Sequence, residues 1–301
     1  MLTGSGTSRR RWLSGAAALG CATLAPPTRA GAPGAPEPVA VCLSSGSLHG
    51  FAHIGAIRAF ESLGFRPDII AGTSVGALAG VLWAAGLPAE RIEAIARDTR
   101  WRDSGQWRWP RLGFGTLEGL QQLIDAHVGS LESLHSRFLA VATDLATGRP
   151  VTLDRGPAGQ AVTASAAVPL RFEPVMIDGR SLVDGALSAP VPVDAARAAG
   201  ASLVIALDVA YRPHEAPVAR LVDVAFQAMH ILVNRLLDEQ LQRATLAIRL
   251  DVHERVQSDA SMQSTIEAGE RAVLAHWPMI QRVLNGEPIM HRCCGRLSND
   301  L

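Results

Sequence analysis

Residues 69–80 read Ile-Ile-Ala-Gly-Thr-Ser-Val-Gly-Ala-Leu-Ala-Gly, and this stretch decides the fold. The apolar run Ile69–Ala71 predicts the end of a buried strand, and the small residues from Ser74 to Ala85 predict a buried helix. Between them lies a G-x-S-x-G motif, Gly72-Thr73-Ser74-Val75-Gly76. Its two glycines allow a sharp turn that exposes the serine hydroxyl at the helix start, where unpaired N–H groups favour a nearby oxyanion. We therefore expect a nucleophilic serine; a tight turn with an incidental serine is the alternative.

The size and composition are those of an ordinary globular α/β protein. The 301 residues are 48% hydrophobic, which is enough to bury the core of one large domain or two small ones. Lys+Arg and Asp+Glu both number 28, so the zero formal charge gives no reason to expect nucleic acid as a partner. The four cysteines, Cys21, Cys42, Cys293 and Cys294, include no C-x-x-C pair, which argues against a zinc site or a disulfide framework.

Residues 1–37 have the pattern of an export signal followed by a linker. Ser8-Arg9-Arg10-Arg11-Trp12-Leu13 precedes the apolar run Gly15–Ala25, which is similar to a twin-arginine signal. The run is short for a membrane span and is followed by two prolines. Cleavage after Ala30 and lipid attachment at Cys21 both fit this pattern. We expect an exported protein, either periplasmic or anchored to the membrane as a lipoprotein; an unprocessed tail is the alternative.

The rest of the chain alternates strands and helices, as expected for a parallel sheet with right-handed crossovers. We predict a single domain over 38–285 and a disordered tail over 286–301. Residues Leu87–Gly115 are rich in arginine and tryptophan and are predicted to form a surface loop without a continuous amphipathic helix. A lid that rests on lipid headgroups is the alternative for this segment. The predicted strands are 39–43, 68–71, 137–145, 151–153, 175–183 as a hairpin, 203–209 and 244–250; the predicted helices are 51–63, 74–85, 117–128, 160–167, 193–199, 216–241 and 261–284.

Two further stretches carry candidate chemistry. The loop Ser44–Gly50 joins the first strand to the first helix, and small residues in such a loop expose backbone N–H groups that suit an oxyanion. Asp184 follows the second arm of the predicted hairpin and supplies a carboxylate, with a solvated Asp-Gly turn as the alternative. A carboxylate needs positioning and partial desolvation before it becomes an effective base.

Together these stretches resemble the patatin-like phospholipases, particularly their compact bacterial members, over about Val39–Leu250. The matching motifs fall in the family's order: Phe51-Ala52-His53-Ile54-Gly55, Gly72–Gly76, Ala164–Pro169, and Asp184-Gly185-Ala186 with Pro190. The resemblance implies a three-layer α/β/α fold with a mainly parallel central sheet. It also implies a serine hydrolase with no metal or cofactor, a lipid or phospholipid substrate, and peripheral contact with a membrane.

The resemblance further implies a Ser-Asp dyad without histidine, in which Ser74 is the nucleophile of an acyl-enzyme and Asp184 is the base. The oxyanion hole falls on the backbone of Gly46 and Ser47, and the residues that support the motifs are Gly72, Gly76, His49, Gly50 and Gly185. The family's oxyanion loop is usually a glycine run followed by a cation, whereas serines and His49 replace them here.

We therefore expect a lipid acyl hydrolase, with two alternatives. One is a catalytically weak lipid-binding or regulatory protein with a degenerate oxyanion loop, and the other is a soluble short-chain esterase. His53 is the competing base for a Ser-His-Asp arrangement. Its position inside the first helix favours a packed or capping histidine instead.

Overall fold

The centre of the protein is a mixed sheet of eight strands, seen in a computed structural model that describes residues 37–99, 106–107, 113, 115–210, 219–250, 252 and 256–287. The strands of the chain are β1 (Val39–Leu43), β2 (Ile69–Thr73), β3 (Gln106–Trp107), β4 (Gly115–Thr116), β5 (Arg137–Asp144), β6 (Pro150–Leu153), β7 (Val175–Ile177), β8 (Arg180–Asp184), β9 (Leu203–Asp208) and β10 (Leu246–Arg249). The helices are α1 (Phe51–Ser62), α2 (Val75–Ala84), α3 (Ala89–Asp98), α4 (Glu118–Asp125), α5 (Ala158–Ala166), α6 (Val193–Ala198), α7 (Leu221–Leu241) and α8 (Asp259–Leu284).

The strands of the sheet follow the order β10-β9-β1-β2-β5-β8-β7, and β6 also pairs with β5. The five strands from β10 to β5 are parallel, whereas β6, β7 and β8 add antiparallel pairs. The short strands β3 and β4 form a separate antiparallel pair. The prediction of a mainly parallel sheet is confirmed.

Helices cover both faces of the sheet, and the alternation of side chains along β1 shows why. Val41 and Leu43 belong to one buried cluster, which includes residues of α1, α2 and α8. Ala40 and Cys42 belong to another, which includes residues of α6 and α7. Successive side chains of a strand point to opposite faces, so a strand that is apolar at every position is buried on both sides. The predicted three-layer α/β/α class is confirmed.

The strands β2 and β8 share one edge of β5, and this arrangement creates the site. On β5, Val141 pairs with Thr73 of β2 and also with β6, while Ala142 pairs with Asp184 of β8 and also with β6. A strand has only two edges, so β2 and β8 both lie on the edge opposite β6. The last residue of β2 and the last residue of β8 therefore face consecutive positions of β5.

One element of the prediction was wrong. Residues 89–98 of the expected loop 87–115 form the amphipathic helix α3, which buries Ala89, Ile92, Ile95 and Ala96. Half of the buried positions are alanines, so the apolar stripe is faint in the sequence. The backbone of Trp107 is part of β3, but Trp101, Trp109 and the arginines 100, 102, 108 and 111 lie outside the described residues.

Residues 1–36 of the predicted export signal and linker (1–37) and residues 288–301 of the predicted tail (286–301) also lie outside the described residues. Elsewhere the predicted elements are present, with ends that differ by a few residues. The long helix expected from 216 begins at Leu221, and residues 216–218 are outside the described part. Within the described ranges, no helix has the length and apolarity required to span a bilayer.

Candidate active site

Ser74 lies between β2 and α2 in a strained backbone conformation. Its φ of 56° and ψ of −121° are rare for a residue with a side chain, and such a conformation costs roughly 1–3 kcal/mol. The turn depends on close backbone approach, because a methyl group on Gly76 would overlap the carbonyl oxygen of Leu43 and one on Gly72 would overlap that of Gly76. The G-x-S-x-G sequence is thus required by sterics, and it leaves the serine hydroxyl free to point away from the turn.

The hydroxyl of Ser74 meets the carboxylate of Asp184. Ser74 Oγ donates a hydrogen bond of 2.8 Å to Asp184 Oδ2. The other carboxylate oxygen, Oδ1, accepts the N–H of Ala186 at 2.8 Å, so the backbone after β8 fixes the orientation of the carboxylate. Gly185 is needed there because a Cβ would overlap the carbonyl oxygen of Val141. The structure therefore brings together the two residues that the sequence nominated as nucleophile and base.

Burial changes the proton affinity of Asp184. Only 4% of the residue is exposed, and this desolvation raises the pKa of Asp184 from 3.8 to about 6. The hydrogen bonds from Ala186 and Ser74 lower the pKa in the opposite direction but do not cancel the effect of burial. A carboxylate with a raised pKa is a stronger base than one in water and still ionises near neutral pH.

Ser165 holds the backbone of the nucleophile, a role that the sequence did not assign. Its buried hydroxyl accepts the N–H of Ser74 at 2.9 Å and donates to the carbonyl of Val141 at 2.6 Å. Two threonines act in a similar way nearby. The hydroxyl of Thr143 donates to the carbonyl of Asp184 at 2.9 Å, and that of Thr73 donates to the carbonyl of Ala189 at 2.7 Å.

The serines of the loop Ser44–Gly50 tie it to the surrounding strands. The hydroxyl of Ser44 accepts the N–H of Val209 at 2.9 Å and donates to the carbonyl of Ser45 at 3.0 Å. The N–H of Ser45 donates to the carbonyl of Pro190 at 2.8 Å. The loop is thus connected both to the end of β9 and to the segment that follows Asp184.

The predicted oxyanion donors lie in the next part of this loop. Ser47 begins a short 3-10 turn with a φ of 53°, and its side chain shares a cavity with Ser74. Within the described part of the chain, the N–H groups of Gly46 and Ser47 donate no hydrogen bond. A Cβ on Gly46 would clash with the carbonyl of Val209, and one on Gly50 would overlap the side chain of Val75. His49 is buried, and its N–H donates to the carbonyl of Gly46 at 3.1 Å.

His53 supports the loop and does not contact the nucleophile's hydroxyl. Its Nε2 donates to the carbonyl of Ser44 at 3.0 Å, and its Nδ1 has no hydrogen-bond partner among the residues described. Complete burial lowers the pKa of His53 to about 4, against the opposite effects of the bond to Ser44 and the charge of Asp208. His53 is therefore a neutral, packed histidine at ordinary pH, as its position in α1 suggested.

An apolar cavity of about 180 Å³ opens beside the dyad. Ser74 and Ser47 supply polar groups to its wall, and Arg171 is the one charged side chain among its lining residues. Helix α3, which the sequence prediction missed, contributes Ile92 and Ile95. The other apolar lining residues include Ile54 of α1, Leu78 and Leu82 of α2, Leu120 and Leu123 of α4, and Phe172. A cavity of this kind suits a hydrocarbon chain whose ester end reaches the serine.

Residues 41–197 match the family model described as patatin-like phospholipase, a span of more than half of the chain. The chain belongs to the patatin-like phospholipase family. The match includes the loop Ser44–Gly50, the G-x-S-x-G turn and Asp184, so the patatin-like region carries both residues of the candidate dyad and the loop with the candidate oxyanion donors. The family resemblance expected from the sequence is confirmed.

Relatives of known sequence share only part of their length with this chain. An uncharacterised NTE family protein of Mycobacterium tuberculosis is 36% identical over 180 residues, which are 56% of this chain and 48% of that protein. A lysophospholipase of Aspergillus fumigatus is 28% identical over 179 residues, which are 57% of this chain and 12% of that protein. Among solved structures, VipD from Legionella pneumophila is similar with a TM-score of 0.47 and 12% identity, over 84% of this chain and 67% of that one.

Proposed function

We propose that this protein is a serine acyl hydrolase that cleaves carboxylic esters of lipids, of the phospholipase or lysophospholipase type. The observation that carries the proposal is the 2.8 Å hydrogen bond from Ser74 to Asp184 beside an apolar cavity. Membership of the patatin-like phospholipase family supports it. A relative named as a lysophospholipase, 28% identical over the shared region, supports it further.

In the first step, Ser74 Oγ attacks the ester carbonyl carbon while Asp184 accepts the hydroxyl proton. A base whose pKa is about 6 is ionised at neutral pH and still has appreciable proton affinity. Negative charge develops on the carbonyl oxygen, and we assign its stabilisation to the N–H groups of Gly46 and Ser47. One such donor typically lowers the barrier by about 2.7–4 kcal/mol.

The tetrahedral intermediate then collapses, and the acyl chain remains on Ser74. The bond to the alcohol oxygen breaks, and the leaving alcohol takes the proton held by Asp184. In the second step, water attacks the acyl-enzyme while Asp184 accepts a water proton, and Ser74 Oγ recovers that proton as the carboxylic acid departs. The apolar cavity holds the hydrocarbon chain through both steps, and the scheme uses no metal or cofactor.

Labelling with a fluorophosphonate probe tests this proposal. The probe phosphonylates an activated serine, so we expect the wild-type chain to be labelled on the peptide that contains Ser74. The variant Ser74→Ala should not react, while a control variant such as Ser136→Ala, changed outside the site, should react as the wild type does. Failure of the wild-type chain to react, or equal reaction of Ser74→Ala, would refute the assignment.

A catalytically weak lipid-binding or regulatory protein is the second candidate, and the conformation of Ser47 favours it. A φ of 53° is costlier for serine than for the glycine usual in such a loop. Replacing Ser47 by glycine discriminates between the two functions: a large gain in ester hydrolysis favours the second candidate, and no change disfavours it. A series of esters of increasing acyl length separates a lipid hydrolase from a soluble short-chain esterase.

Export through a twin-arginine signal in residues 1–37 remains part of the proposal. The three consecutive arginines Arg9–Arg11, followed by a short apolar run, support it. The mass of the mature protein distinguishes the two processing routes, because cleavage after Ala30 and lipid attachment at Cys21 give chains of different mass. A full-length cytoplasmic product would contradict export.

A further inference from the structure

The outward face of α7 is apolar and exposed near its N-terminus. Four large side chains stand out, namely Leu221 at 87% exposure, Leu232 at 67%, Val224 at 52% and Ile231 at 47%. With the exposed Ala225 and Ala228 they form a stripe roughly 120° wide at 100° per residue. We call these six residues the outer face of α7. An apolar stripe of this width normally packs against another surface.

The inner face of the same helix is attached to the candidate active site. The guanidinium of Arg171, which lines the cavity, lies 5.4 Å from the ring centroid of Phe226. Near the other end of α7, the buried Gln240 donates from Nε2 to the carbonyl of Ser188 at 3.1 Å, four residues after Asp184. The position of α7 is thus fixed by contacts with Arg171 at the rim of the cavity and with Ser188 in the segment that follows Asp184.

The cavity rim also carries exposed apolar side chains. Leu48 lines the cavity and is 41% exposed, and Leu170, next to Arg171 in the chain, is 46% exposed. Arg171 makes no ion pair with any carboxylate in the part of the chain described. The rim therefore combines a guanidinium that has no carboxylate partner among the described residues with exposed apolar side chains, and this combination complements an anionic headgroup above a hydrocarbon layer.

The dimensions of the outer face favour lipid over a second copy of the chain. The stripe from Leu221 to Leu232 is about 17 Å long, at about 1.5 Å per residue, and one helix wide. Such a strip covers a few hundred Å², whereas a stable dimer typically buries about 800 Å² on each partner. A lipid surface needs no matching shape and accepts a narrow apolar strip.

We propose that the outer face of α7 docks the protein on the surface of an anionic phospholipid bilayer, which places the cavity rim, in contact with the inner face of the same helix, about one helix diameter from the lipid. The inference deepens the proposed function, on which it rests for the identity of the substrate, because it states where the site meets that substrate. Docking would bring acyl chains to the cavity without their passage through water.

Vesicle flotation tests the docking separately from catalysis. The full-length Ser74→Ala chain is mixed with vesicles of phosphatidylglycerol, which it cannot hydrolyse if Ser74 is the nucleophile. Adding Leu221→Gln and Leu232→Gln should lower the bound fraction at least tenfold, while adding Leu145→Gln, a control leucine exposed after β5, should change it less than twofold. All three chains keep residues 1–36, so any binding by that segment is common to them.

The outcomes separate this proposal from the proposed function. Equal binding of the double variant, or no binding of the parent chain, overturns docking through α7. A parent chain that is dimeric and becomes monomeric with the two glutamines assigns the outer face to a second copy and also overturns it. Equal binding to phosphatidylcholine vesicles removes the preference for anionic lipid. If the wild-type chain hydrolyses no ester but α7 still determines vesicle binding, the proposed function fails and the docking stands.

Discussion

Replacing Asp184 by asparagine is expected to reduce activity and to stabilise the folded protein at alkaline pH. Asparagine has nearly the same shape, and its Oδ1 still accepts the N–H of Ala186, while its Nδ2 donates to Ser74 Oγ. It cannot accept the serine proton, so ester turnover should fall by about 10²–10⁴. The gain in stability arises because the wild-type carboxylate is buried and charged above its pKa, and asparagine removes that charge.

The magnitude follows from the shift in the pKa of Asp184 from 3.8 to about 6. Folding raises this pKa, so the folded state is favoured at low pH, and that contribution is lost as the pH rises through about 6. At pH 8 the ionised carboxylate costs about 3 kcal/mol, at roughly 1.4 kcal/mol per pH unit of the shift. At pH 4 the carboxyl is protonated in the folded protein, and the same relation gives a loss in the free energy of unfolding of less than about 1 kcal/mol.

Urea unfolding of both proteins at pH 8 and pH 4, followed by circular dichroism, measures the difference in the free energy of unfolding. The control is Asp178→Asn in the exposed β7–β8 turn, which removes the same charge without relief of burial and should shift stability by at most about 0.5 kcal/mol. The link between burial and base strength would be refuted if Asp184→Asn were less stable than the wild type at pH 8. A gain in its free energy of unfolding that is the same at pH 4 and pH 8 would also refute it.

Three further predictions concern the same site. The turnover of the wild-type enzyme should rise with pH through about 6, because Asp184 must be ionised, and should fall nearly tenfold per unit well below that value; a flat profile between pH 4 and 7 contradicts the base assignment. Ser165→Ala should lower turnover more than apparent substrate affinity and cost about 1–3 kcal/mol, since it leaves the N–H of Ser74 and the carbonyl of Val141 without this hydroxyl. The control is Thr163→Val on the same helix, whose hydroxyl bonds only a carbonyl of its own helix, and equal turnover losses in both variants would argue against a positioning role for Ser165. Ser74→Gly and Ser74→Ala should both be inactive. The free energy of unfolding of the glycine variant should exceed that of the alanine variant by about 1 kcal/mol, because glycine adopts the φ of 56° without strain. The opposite order of stability in chemical denaturation would show that the turn is not strained.

The two residues of the dyad could be predicted from the sequence because each belongs to a short local pattern. G-x-S-x-G between an apolar strand and a small-residue helix specifies a turn, and Asp-Gly at the end of a hairpin specifies another. Neither pattern contains information about the other. Their meeting depends on the pairing of β2 and β8 with one edge of β5, which is a long-range property of register.

Other features could not be predicted for physical reasons that the structure makes plain. Helix α3 buries two alanines and two isoleucines, and alanine carries little hydrophobic signal. The hydroxyls of Ser44 and Ser165 act through hydrogen bonds to backbone atoms distant in sequence, and such bonds are compatible with almost any local pattern. In the oxyanion loop, the sequence shows serine in place of glycine, but not that Ser44 anchors the loop to β9 while Ser47 adopts a positive φ.

The common edge of β5 also governs how such a chain can change its length. Ser74 and Asp184 are 110 residues apart, yet their separation in space is set by two short pairings with β5. Residues inserted between α2 and β5, or between β6 and α5, would lengthen connections without altering either pairing. A one-residue slip of β8, by contrast, would shift the carboxylate by about 3.3 Å and turn it to the other face of the sheet. Chains of very different length can therefore preserve one dyad geometry, provided that β2 and β8 keep their pairing register with β5.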